Sequence, residues 1–388
     1  MINSIIDNDL YKFTMQNAVI KIFPRAKVRF QFINRGKTDF PEGFGETLRK
    51  EIAKMANLAL TKDEKEFLKK ECTYLDPTYL DFLMGYRYDP SEVGVIQRNG
   101  NLQISIEGYW YRTILWEVPL MALISELYFK MSKQEIFDEA KILDIARKKA
   151  TQFNMLGISV ADFGTRRRYS FDNHDRIVKT LKAYGKPSII GTSNVYFAKK
   201  YNLIAVGTHA HEWFMFHAAK YGFKMANKLA LENWVKVYRG DLGIALSDTF
   251  TSDVFYHAFD TKFAKLFDGV RQDSGNPIEF ADKTIKHYKD LKIDPLFKSI
   301  IFSDGLNPET VEKITKHCRN KIKISFGIGT NFTNDVGVKP LNIVIKIIEA
   351  KPEGQNWVPT IKLSDTKGKY TGDLESIKLC KEVLQIEN

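Results

Sequence analysis

SIIFSDGLNPETVEKITKHC, residues 299–318, holds the unit from which most of this chain is built. An apolar run at Ser299–Phe302 gives way to a polar turn at Asp304-Gly305, and Asn307-Pro308 then opens a stretch of helical periodicity to about residue 317. Asparagine is a good helix cap, and proline is tolerated in the first turn because its missing N–H belongs to the donors that a helix leaves unpaired there. The same order recurs from about residue 186. Apolar runs at Ser188–Ile190, Leu203–Val206, Gly243–Leu246, Gly269–Val270, Ile322–Phe326 and Ile343–Ile347 alternate with helical stretches at about 211–232, 250–265 and 277–291. Such alternation implies parallel strands joined by helical crossovers, and a TIM-like α/β barrel accommodates this many units.

The first 115 residues read differently, with strand-like pieces at Lys27–Asn34 and Leu102–Trp110 enclosing a charged helical stretch at about 43–70. They predict a separate, smaller α+β domain over 1–115, with the barrel over 116–348 and a tail, 349–388, that returns to the small domain through a strand-like Val358–Leu363. A chain of 388 residues suits two domains better than one core. The formal charge of +11 attracts anions. Its lysines are spread through mixed-sign stretches such as 47–54 and 132–149, with no basic arm or nucleic-acid motif, so small polyphosphorylated molecules are the expected partners and nucleic acid is not. Cys72, Cys318 and Cys380 are odd in number and far apart, which predicts free thiols and a reducing, cytoplasmic setting. The start MINSIIDNDLYKF carries acids where a signal peptide has a basic region. The apolar stretch Tyr109–Met131 is broken by Arg112, Glu117, Pro119 and Glu126, so a buried strand and helix are expected there in place of a membrane span.

A functional-looking group follows each apolar run: Thr192 and Ser193, then His209 and His211, Asp248, Arg271 and Asp273, Asp304, and lastly Gly327 and Gly329. Strand ends of a parallel barrel face one mouth, so these residues are predicted to converge. In SFGIGTNF (325–332), Gly327 and Gly329 would let backbone amides approach an anion beside Thr330. FGTRRRYS (163–170) sets Phe163, a candidate for stacking on a flat ring, beside guanidinium groups suited to a carboxylate or phosphate. HAHE at 209–212 also invites a metal-hydrolase reading. Such enzymes place further histidines at later strand ends, whereas here those ends carry Asp248, Asp273 and Asp304, and His217, His257, His287 and His317 fall in helical stretches.

DNDLYKFTMQ (7–16), FGTRRRYS, IGTSN (190–194), GTHAHEW (207–213), SDTF (247–250), GVRQDSGNP (269–277), SDGLN (303–307) and FGIGTNF, taken in order, resemble the nicotinate phosphoribosyltransferase family, and the likeness extends to at least Lys362. The resemblance implies an incomplete TIM-like α/β barrel beside a smaller sandwich-like domain, in a homodimer with shared active sites. It implies an enzyme of NAD salvage that makes nicotinate mononucleotide and pyrophosphate from nicotinate and phosphoribosyl pyrophosphate, with magnesium as cofactor and ATP as co-substrate. Carried over, Phe163 stacks on the pyridine ring and Tyr11 of the partner subunit covers its other face. Arg166 and Arg271 line the nicotinate and phosphate region. His211, Asp248 and Asp273 are catalytic, the two aspartates holding ribose, magnesium or both. Asp304, Gly305, Asn307, Gly327, Gly329 and Thr330 take the 5′-phosphate. His211 is the residue phosphorylated by ATP, with Glu212 the carboxylate expected to orient it, and Ser193 is expected to select the acid over the amide. The pyridine nitrogen carries no proton at neutral pH, so positioning and stabilisation of the departing anion are what the reaction needs.

Overall fold

The computed structural model describes residues 1–366 and 368–386; of the predicted tail, residues 367, 387 and 388 lie outside the described residues. In chain order the strands are β1 (Lys27–Asn34), β2 (Val93–Arg98), β3 (Asn101–Tyr109), β4 (Ser159–Asp162), β5 (Ile189–Thr192), β6 (Ile204–Ala205), β7 (Arg239–Leu242), β8 (Ile244–Leu246), β9 (Gly269–Gln272), β10 (Ser299–Phe302), β11 (Lys323–Ile328), β12 (Ile343–Lys351) and β13 (Val358–Pro359). A 7-stranded sheet in the order β6-β5-β4-β11-β10-β9-β8 is parallel throughout. Helices such as Phe171–Tyr184, Pro277–Asp290 and Pro308–Cys318 make its crossovers. A second, 5-stranded antiparallel sheet, β13-β12-β1-β3-β2, forms the smaller layer. The architecture is thus the predicted incomplete α/β barrel with an accessory domain.

Two strand assignments change. The alternation begins at β4, well before residue 186, because its short Ser-Val-Ala-Asp run is bounded by Gly157, which ends the preceding helix in the left-handed region at φ 66°. Ile343–Ile347 is not a barrel strand: it opens β12, which pairs antiparallel with β1. Its burial alternates along the strand, and Lys346 sits within it. That is the pattern of a sheet with one solvated face; a parallel barrel strand, covered on both faces, would be apolar throughout. The predicted helix 211–232 is likewise two, His211–Tyr221 and Phe223–Tyr238, divided at Gly222 with φ 81°.

The ladder is open between β6 and β8, and side chains bridge the gap. Thr208 Oγ1 donates to the carbonyl of Ile244 at 2.9 Å, and the Leu246 N–H donates to His209 Nε2 at 3.2 Å. His209 is thereby a buried seam residue, two positions from His211. Two of the helical histidines have partners away from the cavity: His217 donates from Nδ1 to Trp213 O, and His317 pairs with Asp282. Cys72, Cys318 and Cys380 are free and buried. Among the described residues no helix is long and apolar enough to cross a membrane.

Candidate active site

A cavity of about 440 Å³ lies between the C-terminal ends of the barrel strands and the small sheet, whose Phe30, Ile345 and Lys346 contribute to its wall. Phe163 follows β4 directly and its N–H donates to Ile328 O at 2.8 Å. Its ring lies on the backbone of Gly327: a Cβ there would meet two ring carbons at 2.3 Å. The glycine makes room for the aromatic ring, and it is not among the residues that line the cavity. Tyr11 lines the same cavity in its own chain and is only 9% exposed there.

Tyr11 is held there by a seam that sequence order conceals. Asp9 forms an antiparallel bridge with Asn194, Leu10 N donates to Ser193 O at 2.8 Å, and Asn194 Nδ2 donates to Asp7 at 2.8 Å. DNDLYKF and IGTSN are therefore one local structure. Ser193 lines the cavity, and its hydroxyl donates to Asp9 Oδ1 at 2.8 Å. Burial raises the Asp9 carboxyl above its usual range.

The three arginines of FGTRRRYS separate. Arg166 and Arg167 line the cavity, with Arg166 Nη1 3.6 Å from Glu117. Arg167 is pushed down to about 10 by burial and by the neighbouring Arg166 and Arg35. Arg168 is fully buried and binds Asp7 through two 2.8 Å hydrogen bonds, a purely architectural use. Of the predicted phosphate residues, Gly305, Asn307, Gly329 and Thr330 line the cavity. Gly305 takes φ 59°, in the left-handed region that favours glycine, and Asn307 caps the next helix by accepting from Thr310 N. Asp304 does not line the cavity; it is half-buried, and burial raises its carboxyl.

His211 stands at the first position of its helix, against the ends of β8 and β9. Nδ1 is 3.0 Å from Thr249 Oγ1, while Nε2 is 3.0 Å from Asp273 Oδ2, 3.6 Å from Asp248 Oδ1 and 2.8 Å from Lys362 Nζ. Burial, with Lys362 adding to it, brings the imidazole down to about 4, so the ring is neutral at pH 7. Burial works to raise Asp273, but cations including Arg271, 3.8 Å away, hold it well below the usual carboxylate range. Glu212 does not orient this ring. It accepts from Lys12 and Trp110, each at 2.5 Å, on the other side of the helix, and Lys12 also pairs with Glu117. The side chains of His211, Asp248 and Asp273 present ligand atoms within 4.8 Å of one another. Asp248 Oδ1 is buried with no hydrogen-bond partner among the described residues, so the two carboxylates fit a hard cation such as magnesium.

Lys362, Lys346 and Arg167 were not singled out from the sequence. Lys346 and Lys362 arrive from β12 and the tail, and only the fold brings them to the mouth of the barrel. Burial, with Lys362 adding to it, lowers Lys346 to about 7.

A half-barrel whose mouth gathers two aromatic side chains, glycine turns, and a histidine set between carboxylates belongs to the class of enzymes that handle a flat ring and a phosphorylated partner. Residues 6–125 match the nicotinate phosphoribosyltransferase N-terminal domain, and residues 158–388 match the nicotinate phosphoribosyltransferase family. A nicotinate phosphoribosyltransferase of Chromohalobacter salexigens is 59% identical over 386 residues, covering 100% of this chain and 99% of the relative. One from Methanosarcina acetivorans is 44% identical over 404 residues, covering 99% and 98%. The crystal structure of the Porphyromonas gingivalis nicotinate phosphoribosyltransferase superposes with a TM-score of 0.97 at 48% identity, covering 100% of both chains. The chain belongs to the nicotinate phosphoribosyltransferase family.

Proposed function

We propose that this enzyme joins nicotinate to phosphoribosyl pyrophosphate in the cavity at the barrel mouth, forming nicotinate mononucleotide and pyrophosphate, and that ATP drives the reaction through phosphorylation of His211. The observation that carries the reading is the placement of Phe163 and Tyr11 on one cavity with a neutral, buried His211 fixed between Thr249 and two aspartates. The aromatic side chains hold the pyridine ring, offset stacking being worth ~0.5–1.5 kcal/mol beyond burial. Arg166 and Arg271 supply positive charge for the substrate's carboxylate and the departing anion. Backbone at Gly305, Asn307, Gly329 and Thr330 receives the 5′-phosphate. Asp248 and Asp273 would hold magnesium, which when bound neutralises and orients the pyrophosphate group. The protein groups do the rest: they align the ring nitrogen with the anomeric carbon and exclude water.

A homodimer is the assembly we assign, with the partner's surface covering the cavity opening. The buried free thiols suit a reducing cytoplasm. Supplying nicotinate, phosphoribosyl pyrophosphate, magnesium and ATP should yield nicotinate mononucleotide together with ADP. Stoichiometric zinc or iron in the purified protein, with no mononucleotide formed, would reverse the assignment in favour of a metal hydrolase.

A further inference from the structure

Lys362 belongs to neither sheet, yet its side chain is only 11% exposed and ends on the reactive histidine. Its ammonium is 2.8 Å from His211 Nε2 and 3.3 Å from Asp248 Oδ2. The segment carrying it is fastened to the loops that bear the site. Lys362 and Thr371 exchange backbone hydrogen bonds, Leu363 N donates to Thr249 O at 2.8 Å, and Asp365 N donates to Ser274 Oγ at 2.9 Å. The same Ser274 hydroxyl donates to Asp248 Oδ2 at 2.5 Å. The tail thus holds a cation against the imidazole by several independent ties, and those ties also engage two other neighbours of the ring, Thr249 and Asp248.

The chemistry of the contact is restrictive. An ammonium has three donors and no lone pair, so Nε2 can face it only as an acceptor. An Nε2 that accepts from Lys362 leaves the ring proton to Nδ1, which faces Thr249 Oγ1 at 3.0 Å. With Nε2 accepting from Lys362, the 3.0 Å contact of Asp273 Oδ2 to the same nitrogen, a hydrogen bond only in the other tautomer, is not made. The carboxylate is placed instead to balance a positive charge that the ring acquires later.

We propose that Lys362 is a catalytic residue of the phosphoryl-transfer step, holding His211 in the Nδ1–H tautomer and then moving from the Nε2 lone pair to the γ-phosphoryl oxygens. The inference rests on the reading that ATP phosphorylates His211. The Nε2 lone pair forms the bond to the γ-phosphorus, the bond from that phosphorus to the β,γ-bridging oxygen breaks, and ADP departs with the electron pair. Nδ1 keeps its proton, so the ring becomes a phosphorylated imidazolium between Asp248 and Asp273. Lys362 transfers no proton; its charge passes from the nucleophile to the transferring group.

The test is the single-turnover rate of acid-labile labelling of the full-length enzyme by γ-labelled ATP at saturating nucleotide, in wild type, Lys362→Met and Lys362→Arg. Lys362→Met is expected to lose at least about a hundredfold, the scale of removing one preorganised donor from a transition state. Lys362→Arg should recover at least about a tenth of the wild-type rate. Labelling of Lys362→Met at the wild-type rate would overturn the proposal. A second measurement needs no variant: nitrogen-15 spectra of the wild-type histidine rings should show His211 protonated at Nδ1 and bare at Nε2, and a proton on Nε2 would overturn it equally. Wild-type enzyme that takes no label on His211 would instead remove the phosphohistidine reading itself, an outcome separate from either result.

Discussion

Gly327→Ala tests whether the aromatic slot is built as described. The added Cβ would lie 2.3 Å from two carbons of the Phe163 ring. Carbon atoms in ordinary contact are ~3.5–4.0 Å apart, so the ring must withdraw by more than ~1 Å. It has little room to do so, because Phe163 N is bonded to Ile328 O and Gly164 packs on Thr333. Overpacking of this kind costs ~1–3 kcal/mol of stability. A displacement of about an ångström in a positioning group also lowers the rate of reaction by up to ~100-fold. We expect kcat/KM for nicotinate to fall by about ten- to a hundredfold, with a lower midpoint of urea unfolding. Placing the glycine change in a Phe163→Ala background isolates the contact: there the second substitution should cost little, since the obstructing ring is gone. The reasoning is refuted if Gly327→Ala leaves both kcat/KM and stability unchanged, or if its penalty is the same without the Phe163 ring.

Further outcomes follow from the buried charges. Asp7→Asn leaves the fully buried Arg168 without its bidentate partner and should cost ~3–5 kcal/mol in urea unfolding; a loss under about 1 kcal/mol would mean that the pair is not structural. Ser193→Asp sets a second carboxylate against Asp9, 2.8 Å from the present hydroxyl, on the wall of the cavity proposed to take the substrate's acid group. At ~4 Å and an effective dielectric near ~20, like charges repel by ~4 kcal/mol, and nearby arginines screen part of this. The nicotinate-to-nicotinamide ratio of kcat/KM should therefore fall by about ten- to a thousandfold, and an unchanged ratio would remove Ser193 from the specificity site. His211, at about 4, and His217, at about 3, are both held below the unfolded value of about 6.5, so between pH 6.5 and 4 the unfolded chain binds protons that the folded chain refuses. Stability should fall by a few kcal/mol from pH 7 to pH 5, and unfolding midpoints that do not move would contradict the burial assigned to these rings.

The barrel was legible because its strands announce themselves as short apolar runs followed by capped helices, and residues 299–318 form the strand, turn and helix that their order implies. Ile343–Ile347 reads as a barrel strand because β-branched residues suit any strand; its alternating burial and antiparallel pairing with β1 appear only in the fold. The convergence of His211, Asp273, Gly305 and Gly329 on one mouth followed from strand parity alone. What could not be read was every contact between distant segments. Neither Lys362 against His211 nor Asp9 against Ser193 leaves a local trace in the sequence, and Gly327 looked like a phosphate turn because a glycine that admits a ring and one that admits an anion are identical in sequence.

The most direct measurement is to incubate the enzyme with γ-labelled ATP and magnesium, map the label, and then add nicotinate and phosphoribosyl pyrophosphate. We predict acid-labile label on His211, absent from His211→Asn, and released as one nicotinate mononucleotide forms per phosphate lost. Full labelling of His211→Asn, or mononucleotide formation with no link to the label, would contradict the account.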